Sequence, residues 1–260
     1  MPTGDIALED LAGQPIEGTG TPETAWRSAP YLSELPRVAL SQLMQGSQRL
    51  VVVAPHPDDE VLGCGGLIAA ARTAGVPVLI IALTDGERAY PDEPGWQPQV
   101  LGPARRLELD AAVQQLGVLP GASAHLALDD GALAACEARM AQALGDLITA
   151  HDTVLVTWER DGHPDHEAAS RATHAACKAQ SARRLQYPVW AWHWSRPEDG
   201  VFADGAAVRF DLSPAVLSAK QRAIACFATQ LGHCTPPVAE PILPPPVLER
   251  FARPFEVFIQ

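Results

Sequence analysis

Cysteine is scarce and shows no pairing pattern. The chain of 260 residues has five, Cys64, Cys136, Cys177, Cys226 and Cys234, an odd number with wide spacing and no Cys-x-x-Cys. That argues against a disulfide scaffold and a cysteine zinc site, and it fits a reducing compartment. Long apolar runs are missing as well. No uncharged stretch approaches the roughly 20 residues of a membrane span. The start, MPTGDIALEDLAG, has neither the basic end nor the apolar run of a signal peptide. These absences predict a cytoplasmic protein with no membrane partner. Basic charge is in deficit too: 19 Lys and Arg stand against 31 Asp and Glu, a formal net charge of −12. Such a chain neutralises phosphates poorly, which argues against nucleic acid as a partner. Internal repeats and a clear domain linker are also absent.

What is present is an alternation of apolar runs and helical patterns. Residues 1–48 read as an N-terminal arm packed on the main domain, with a weak helical pattern around Tyr31–Leu43. Residues 49–260 read as one α/β domain. Strands are expected at Arg49–Ala54, Val76–Thr84, His125–Leu128, Thr153–Trp158, Val189–Trp194, Val208–Leu212 and Phe255–Ile259. Helices are expected at Leu62–Ala74, Pro103–Leu116, Ala132–Ala150, Pro164–Ala179 and Pro214–Ala228. This order predicts a Rossmann-like three-layer sandwich with a mostly parallel sheet. Ligands of such sheets bind at the carboxyl ends of the strands.

Two motifs fall at such ends. The first, His56-Pro57-Asp58-Asp59-Glu60, follows the Arg49–Ala54 run; the second, Gly162-His163-Pro164-Asp165-His166, follows Thr153–Trp158. A metal that activates water commonly takes three protein ligands and keeps one position open. His56 and Asp59 supply two, across a turn stiffened by Pro57. Asp58 is left over, a carboxylate suited to take a proton from attacking water. In the second motif Pro164 fits the first helical position, so His163 and His166 lie one turn apart and face one spot. One of them can ligate while the other serves the substrate. We assign His166 to the metal and His163 to the substrate as electrophile or acid, with Asp165 orienting His163. Glu60 is expected to hold the loop or the helix start. Gly63-Cys64-Gly65-Gly66 lacks the spacing of a dinucleotide loop; the glycines are expected to let a helix pack closely, with Cys64 a small core residue.

In this order and about one hundred residues apart, the two motifs resemble the signature of the PIG-L/LmbE-like family of zinc-dependent N-acetylglucosaminyl deacetylases. The resemblance runs from about Arg49 to Trp194. It implies a Rossmann-like fold, zinc on His56, Asp59 and His166, Asp58 as general base, and His163 as electrostatic or acid partner. Arg105, three residues before Glu108, is similar to a family arginine that touches the sugar; alternatively it pairs with Glu108 on an exposed helix face. Asp130 resembles an acidic loop residue that meets a sugar hydroxyl, or is a turn aspartate before Gly131. Late in the chain Phe227-Ala228-Thr229-Gln230 stands where the family has His or Tyr, then x-Ser-Gln. The N-terminal arm has no counterpart in the minimal family domain.

Trp190, Trp192 and Trp194 alternate, so a strand there would put them on one face. Core packing is expected for that face, with Trp194, at the strand's end, as wall of a sugar site. His193 would then point to the other face as a structural residue. The expectation is a zinc-dependent enzyme that removes an N-acyl group, N-acetyl first, from an amino sugar or glycoconjugate. A metal amidase on a non-sugar conjugate and a non-catalytic binding module are the alternatives. Fe2+, Co2+ or Mn2+ suits the same ligands. An oligomer is open, with the Pro-rich tail either a subunit contact or an extended wrap over the sheet.

Overall fold

The computed structural model describes residue 16, residues 18–203 and residues 206–260. Among these, seven strands form one sheet: β1 (Arg49–Ala54), β2 (Val78–Thr84), β3 (Ser123–Leu128), β4 (Asp152–Thr157), β5 (Arg183–Tyr187), β6 (Ala207–Asp211) and β7 (Phe255–Ile259), in the order β3-β2-β1-β4-β5-β7-β6. The first five run parallel. β7 is antiparallel to both β5 and β6.

β1 shows why the sheet lies in the middle. Leu50 and Val52 join one apolar cluster, Val51 and Val53 the other. Successive side chains point to opposite faces, so an unbroken Val run needs cover on both. Leu67, Leu109 and Ala223, from helices Asp59–Thr73, Pro98–Gln115 and Pro214–Ile224, cover the first face. Met140 and Leu144 from helix Glu137–Gly145 cover the second, with Ala168 and Ala172 from helix Pro164–Gln180. The expected three-layer architecture is what forms.

The segment before β1 carries three short helices, Glu23–Arg27, Pro30–Glu34 and Leu40–Met44. Their Trp26, Leu32 and Leu43 are buried in the sheet's first cluster. Residues 1–15 and 17 of the expected arm lie outside the described residues.

Helix Asp59–Thr73 begins three residues earlier than expected and is bent at Cys64, whose φ is −142° and ψ 20°. The bend frees backbone N–H groups inside the helix. Gly66 N and Leu67 N donate to the two carboxylate oxygens of Glu256, at 2.7 and 2.8 Å. Lys220 Nζ donates to Glu256 Oε1 at 2.7 Å and to Leu62 O at 2.8 Å. The glycines do allow close packing: a Cβ on Gly63 would stand 2.1 Å from the Tyr187 ring. Cys64 is fully buried, and burial pushes its thiol well up, as fits a core residue.

Three expected elements differ. Helix Pro98–Gln115 starts before Pro103 and runs through it. The single helix expected at Ala132–Ala150 is a 3-10 turn, Leu133–Cys136, followed by Glu137–Gly145. The strand expected at Val189–Trp194 does not form: β5 lies earlier, at Arg183–Tyr187, and Ala191–Trp194 is a helical turn. Its cause is Asp161. One buried carboxylate accepts the consecutive N–H groups of Val189, Trp190 and Ala191 at 2.9–3.0 Å, which bends the chain into a helix start.

Candidate metal centre

The sheet order reverses between β1 and β4, and both motifs leave the carboxyl ends of these neighbouring strands. This is the crevice where doubly wound sheets bind ligands. Three ligand atoms meet there. His166 Nε2 lies 3.3 Å from His56 Nδ1 and 3.2 Å from Asp59 Oδ2, and His56 Nδ1 lies 3.3 Å from Asp59 Oδ2. A tetrahedral ion bound at about 2.0–2.1 Å sets its ligand atoms about 3.3 Å apart.

The far nitrogen of each ring faces carboxylates. His56 Nε2 lies 3.2 Å from Asp130 Oδ1 and 3.3 Å from Asp165 Oδ2. His166 Nδ1 lies 2.7 Å from Asp161 Oδ2. With protons on those outer nitrogens, two lone pairs and a carboxylate oxygen converge on one point. Such a set repels itself unless a cation stands between, so the residues fit a divalent metal. His56 Nε2, Asp130 and Asp165 are a second group with ligand-type spacing. Its carboxylates are already engaged by backbone N–H groups of Arg88, Gly131 and Leu133. We read them as the brace behind His56.

Electrostatics agree. Burial alone would lower both imidazoles. For His56 the carboxylates of Asp130, Asp165 and Asp59 outweigh it and raise the group well above its usual value. For His166, Asp59 and Asp161 do the same, to about 9. The crevice is built to hold positive charge, and metal binding displaces such protons.

Asp58 has φ 139°, a left-handed conformation that a non-glycine residue adopts under constraint. Its N–H donates to Glu60 Oε2 at 3.1 Å, and its carboxylate lies 3.7 Å from Arg105 Nη2. Burial, then the neighbouring charge of Asp59, pushes Asp58 up to about 7. His163 is the opposite case: burial, then His166 and His56, lowers it to about 3, so its ring is neutral. Its Nδ1 accepts the N–H of Asp165 at 3.2 Å, which leaves the ring proton on Nε2. Asp165 thus holds His163 through its backbone, while its carboxylate turns to His56 instead of to His163 as expected.

Asp58, His56, Asp59, His163, Arg105 and Asp130 line one cavity of about 300 Å³, with Leu62, Arg88, Ala89, Gly131, Val189, Trp190, Gln230 and Ile242. Arg105 does not pair with Glu108, which instead accepts from Thr229. The guanidinium is buried and donates to Gly86 O, Pro57 O and Gln230 Oε1. Gln230 Nε2 also donates to Pro57 O, so the two side chains brace the His56–Asp59 turn. Trp194 does not line the cavity. Its Nε1 donates to Asp161 O, and its ring lies over Gly162, where a Cβ would stand 2.5 Å from Nε1. Trp190 takes the wall position, because the helical turn rotates the three tryptophans off a common face. Trp192 packs in the core at 5.0 Å from Trp26, and His193 meets Arg250.

Asp161, Gln230 and Arg88 had no role assigned from sequence, and Trp190, expected in the core, lines the cavity instead. The signal for Asp161 was its place at the head of the second motif; Gln230 stands in the segment compared with His/Tyr-x-Ser-Gln. A slightly larger cavity, about 340 Å³, lies by Trp26, Arg209 and Phe255, but its Arg253 is already paired with Glu23.

Fold and centre define a class: a doubly wound α/β protein with a His/Asp/His group able to hold a metal ion at its switch point. Residues 51–177 match the PIG-L family, described as GlcNAc-PI de-N-acetylase. A 1D-myo-inositol 2-acetamido-2-deoxy-alpha-D-glucopyranoside deacetylase from Mycobacterium sp. (strain JLS) is 33% identical over 190 residues, 63% of this chain and 59% of that relative. The solved structure of a conserved protein from Thermus thermophilus is 30% identical, with TM-score 0.53 over 70% of this chain and 80% of its own. N,N'-diacetylchitobiose deacetylase from Pyrococcus horikoshii, at 18% identity and TM-score 0.57, covers 90% of this chain and 85% of its own and shares the fold. The chain belongs to the PIG-L family. It spans about three fifths of the length of the first curated relatives it matches.

Proposed function

We propose that the chain is a zinc-dependent N-deacetylase acting on an amino sugar. One observation carries this reading: a triangle of ligand atoms with 3.2–3.3 Å edges, two of its corners on the cavity-lining His56 and Asp59, stands beside a strained, buried Asp58 and a neutral His163 that line the same cavity. Relatives named as deacetylases of a 2-acetamido-2-deoxyglucopyranoside support the substrate class. The His/Asp/His set suits zinc, and also Fe2+, Co2+ or Mn2+. Bound there, such an ion lowers the pKa of water toward about 7 and polarises a carbonyl.

The chain's own residues do the rest. Asp58 takes the proton of the attacking water. The water oxygen bonds to the acyl carbon, the carbon–nitrogen bond breaks, and the proton passes from Asp58 to the leaving amine. A free amine and a carboxylic acid result, and the acid's remaining proton then passes to the amine to give ammonium and carboxylate. His163, with its proton on Nε2, donates to the carbonyl oxygen as that atom gains charge. Asp165 holds His163 by its backbone and His56 by its carboxylate. Arg105 and Gln230 fix the turn that carries Asp58. Asp130, braced against His56, has a lone pair left for a sugar hydroxyl. The five free cysteines support a reducing, cytoplasmic setting. No helix among the described residues is long and apolar enough to cross a membrane.

The test is amine release from a panel of N-acetylglucosamine derivatives and non-sugar N-acetyl amines. The protein is assayed as purified, chelator-treated and zinc-restored. Release from the sugars that vanishes with chelator and returns with zinc is the expected result. Release only from non-sugar amides would overturn the sugar part of the reading.

A further inference from the structure

The cavity is chemically two-sided, and the sheet order makes it so. β2 and β3 lie on one side of the β1–β4 pair, β5 on the other. The segments after β2 and β3 bring Arg88, Arg105 and Asp130 to the cavity. The segment after β5 brings Val189 and Trp190. Leu62, one turn beyond Asp59, adds a third apolar side chain to that flank; Ile242, from the Pro-rich tail, lines the cavity beside Tyr90 of the segment after β2. Trp190 and Ile242 are only partly buried where they line it. The flank is also held rigid: the Asp161 carboxylate that fixes His166 Nδ1 accepts the N–H groups of Val189 and Trp190.

An amide is planar and trans, so its two substituents leave in opposite directions. With the carbonyl between His56 and His163, one substituent runs to the polar flank and the other to the apolar one. Sugar hydroxyls match Asp130 and Arg88. That leaves the acyl group for Leu62, Val189 and Trp190. Three apolar side chains from two separate segments, one of them an indole, are more than one methyl group fills.

We infer that this flank is an acyl subsite, and that the chain hydrolyses N-acyl amino sugars with acyl groups longer than acetyl. The inference rests on the N-deacylase reading above and extends it to the acyl side of the substrate. Each methylene taken out of water favours binding by about fourfold.

The experiment compares N-acetyl-, N-propionyl- and N-butyrylglucosamine on the zinc-loaded protein, beside a Trp190→Ala variant of verified metal content. The expected kcat/KM rises by about fourfold per methylene, and Trp190→Ala brings the butyryl-to-acetyl ratio down toward one. Butyrate is expected to compete with substrate more tightly than acetate, and to lose that advantage in the variant. Hydrolysis of the acetyl compound with slower butyryl turnover overturns the subsite and leaves the deacetylase reading standing. No hydrolysis of any compound overturns the reading itself, and the inference with it.

Discussion

Asp161 is the residue on which most of the centre hangs. It is wholly buried, accepts from His166 Nδ1 at 2.7 Å, and starts the helical turn that carries Trp190. Asp161→Asn keeps the shape but weakens the proton acceptor behind His166. Zinc affinity is expected to fall about 10–100-fold, read by competition with a chromogenic chelator; unchanged affinity would remove Asp161 from that role. Asp58 is proposed as the base and not as a ligand. Asp58→Asn should keep one zinc per chain and lose about 10²–10⁴-fold in turnover, and an active variant would remove Asp58 as the base. Much of this residue scale was legible, because His, Asp and Pro crowd into two short turns that no capping need explains. The acceptors behind the histidines were not. Which carboxylate stands behind which ring depends on how loops from β1, β3 and β4 meet, and spacing within one motif carries no trace of that.

At the scale of elements, the bent helix Asp59–Thr73 links the centre to the far end of the chain. Glu256 on β7 caps its second half, and Lys220 ties Glu256 to Leu62 O. Both side chains are almost fully buried. Glu256→Gln leaves Lys220 as a buried, unpaired charge, so a loss of about 3–5 kcal/mol in unfolding free energy is expected. The double variant Lys220→Met/Glu256→Gln should recover part of it, and denaturant titration of the set reads both. Arg49 and Asp152 join the starts of β1 and β4, with Nε–Oδ1 2.9 Å and Nη2–Oδ2 2.7 Å. Burial would raise the Asp152 carboxyl, but Arg49 and Thr149 outweigh it and hold it below its usual value. A depressed folded-state pKa contributes stability above the unfolded value, lost as pH falls through the folded one. Asp152→Asn should therefore flatten the acid side of the Tm–pH curve, below about pH 4, and an unchanged acid limb would deny the pair that part. The strands of pure Val, Ile and Leu were plain from sequence. β5 was not: Arg183 and Arg184 mask it, while the alternating tryptophans mimic a strand that Asp161's three backbone bonds forbid.

At the scale of the molecule, the strand order decides the function. Reversal between β1 and β4 brings together two motifs about one hundred residues apart, and the loops on either flank give the cavity its polar and apolar sides. Alternating strands and helices foretold the layers and the carboxyl-end site. The strand Phe255–Ile259 was expected, but its antiparallel pairing with β5 and β6, and the tail that supplies Ile242 to the cavity, carried no signal in the sequence. Of the chain's 31 Asp and Glu, six (Asp58, Asp59, Glu60, Asp130, Asp161 and Asp165) gather around the His56 and His166 imidazoles, an arrangement that calls for a cation. The most direct measurement is calorimetric titration of zinc into chelator-stripped protein, beside His166→Ala. One ion per chain, bound tightly by the parent and lost in the variant, is the predicted result. No binding by the parent, or undiminished stoichiometric binding by His166→Ala, would contradict a metal centre built on His56, Asp59 and His166.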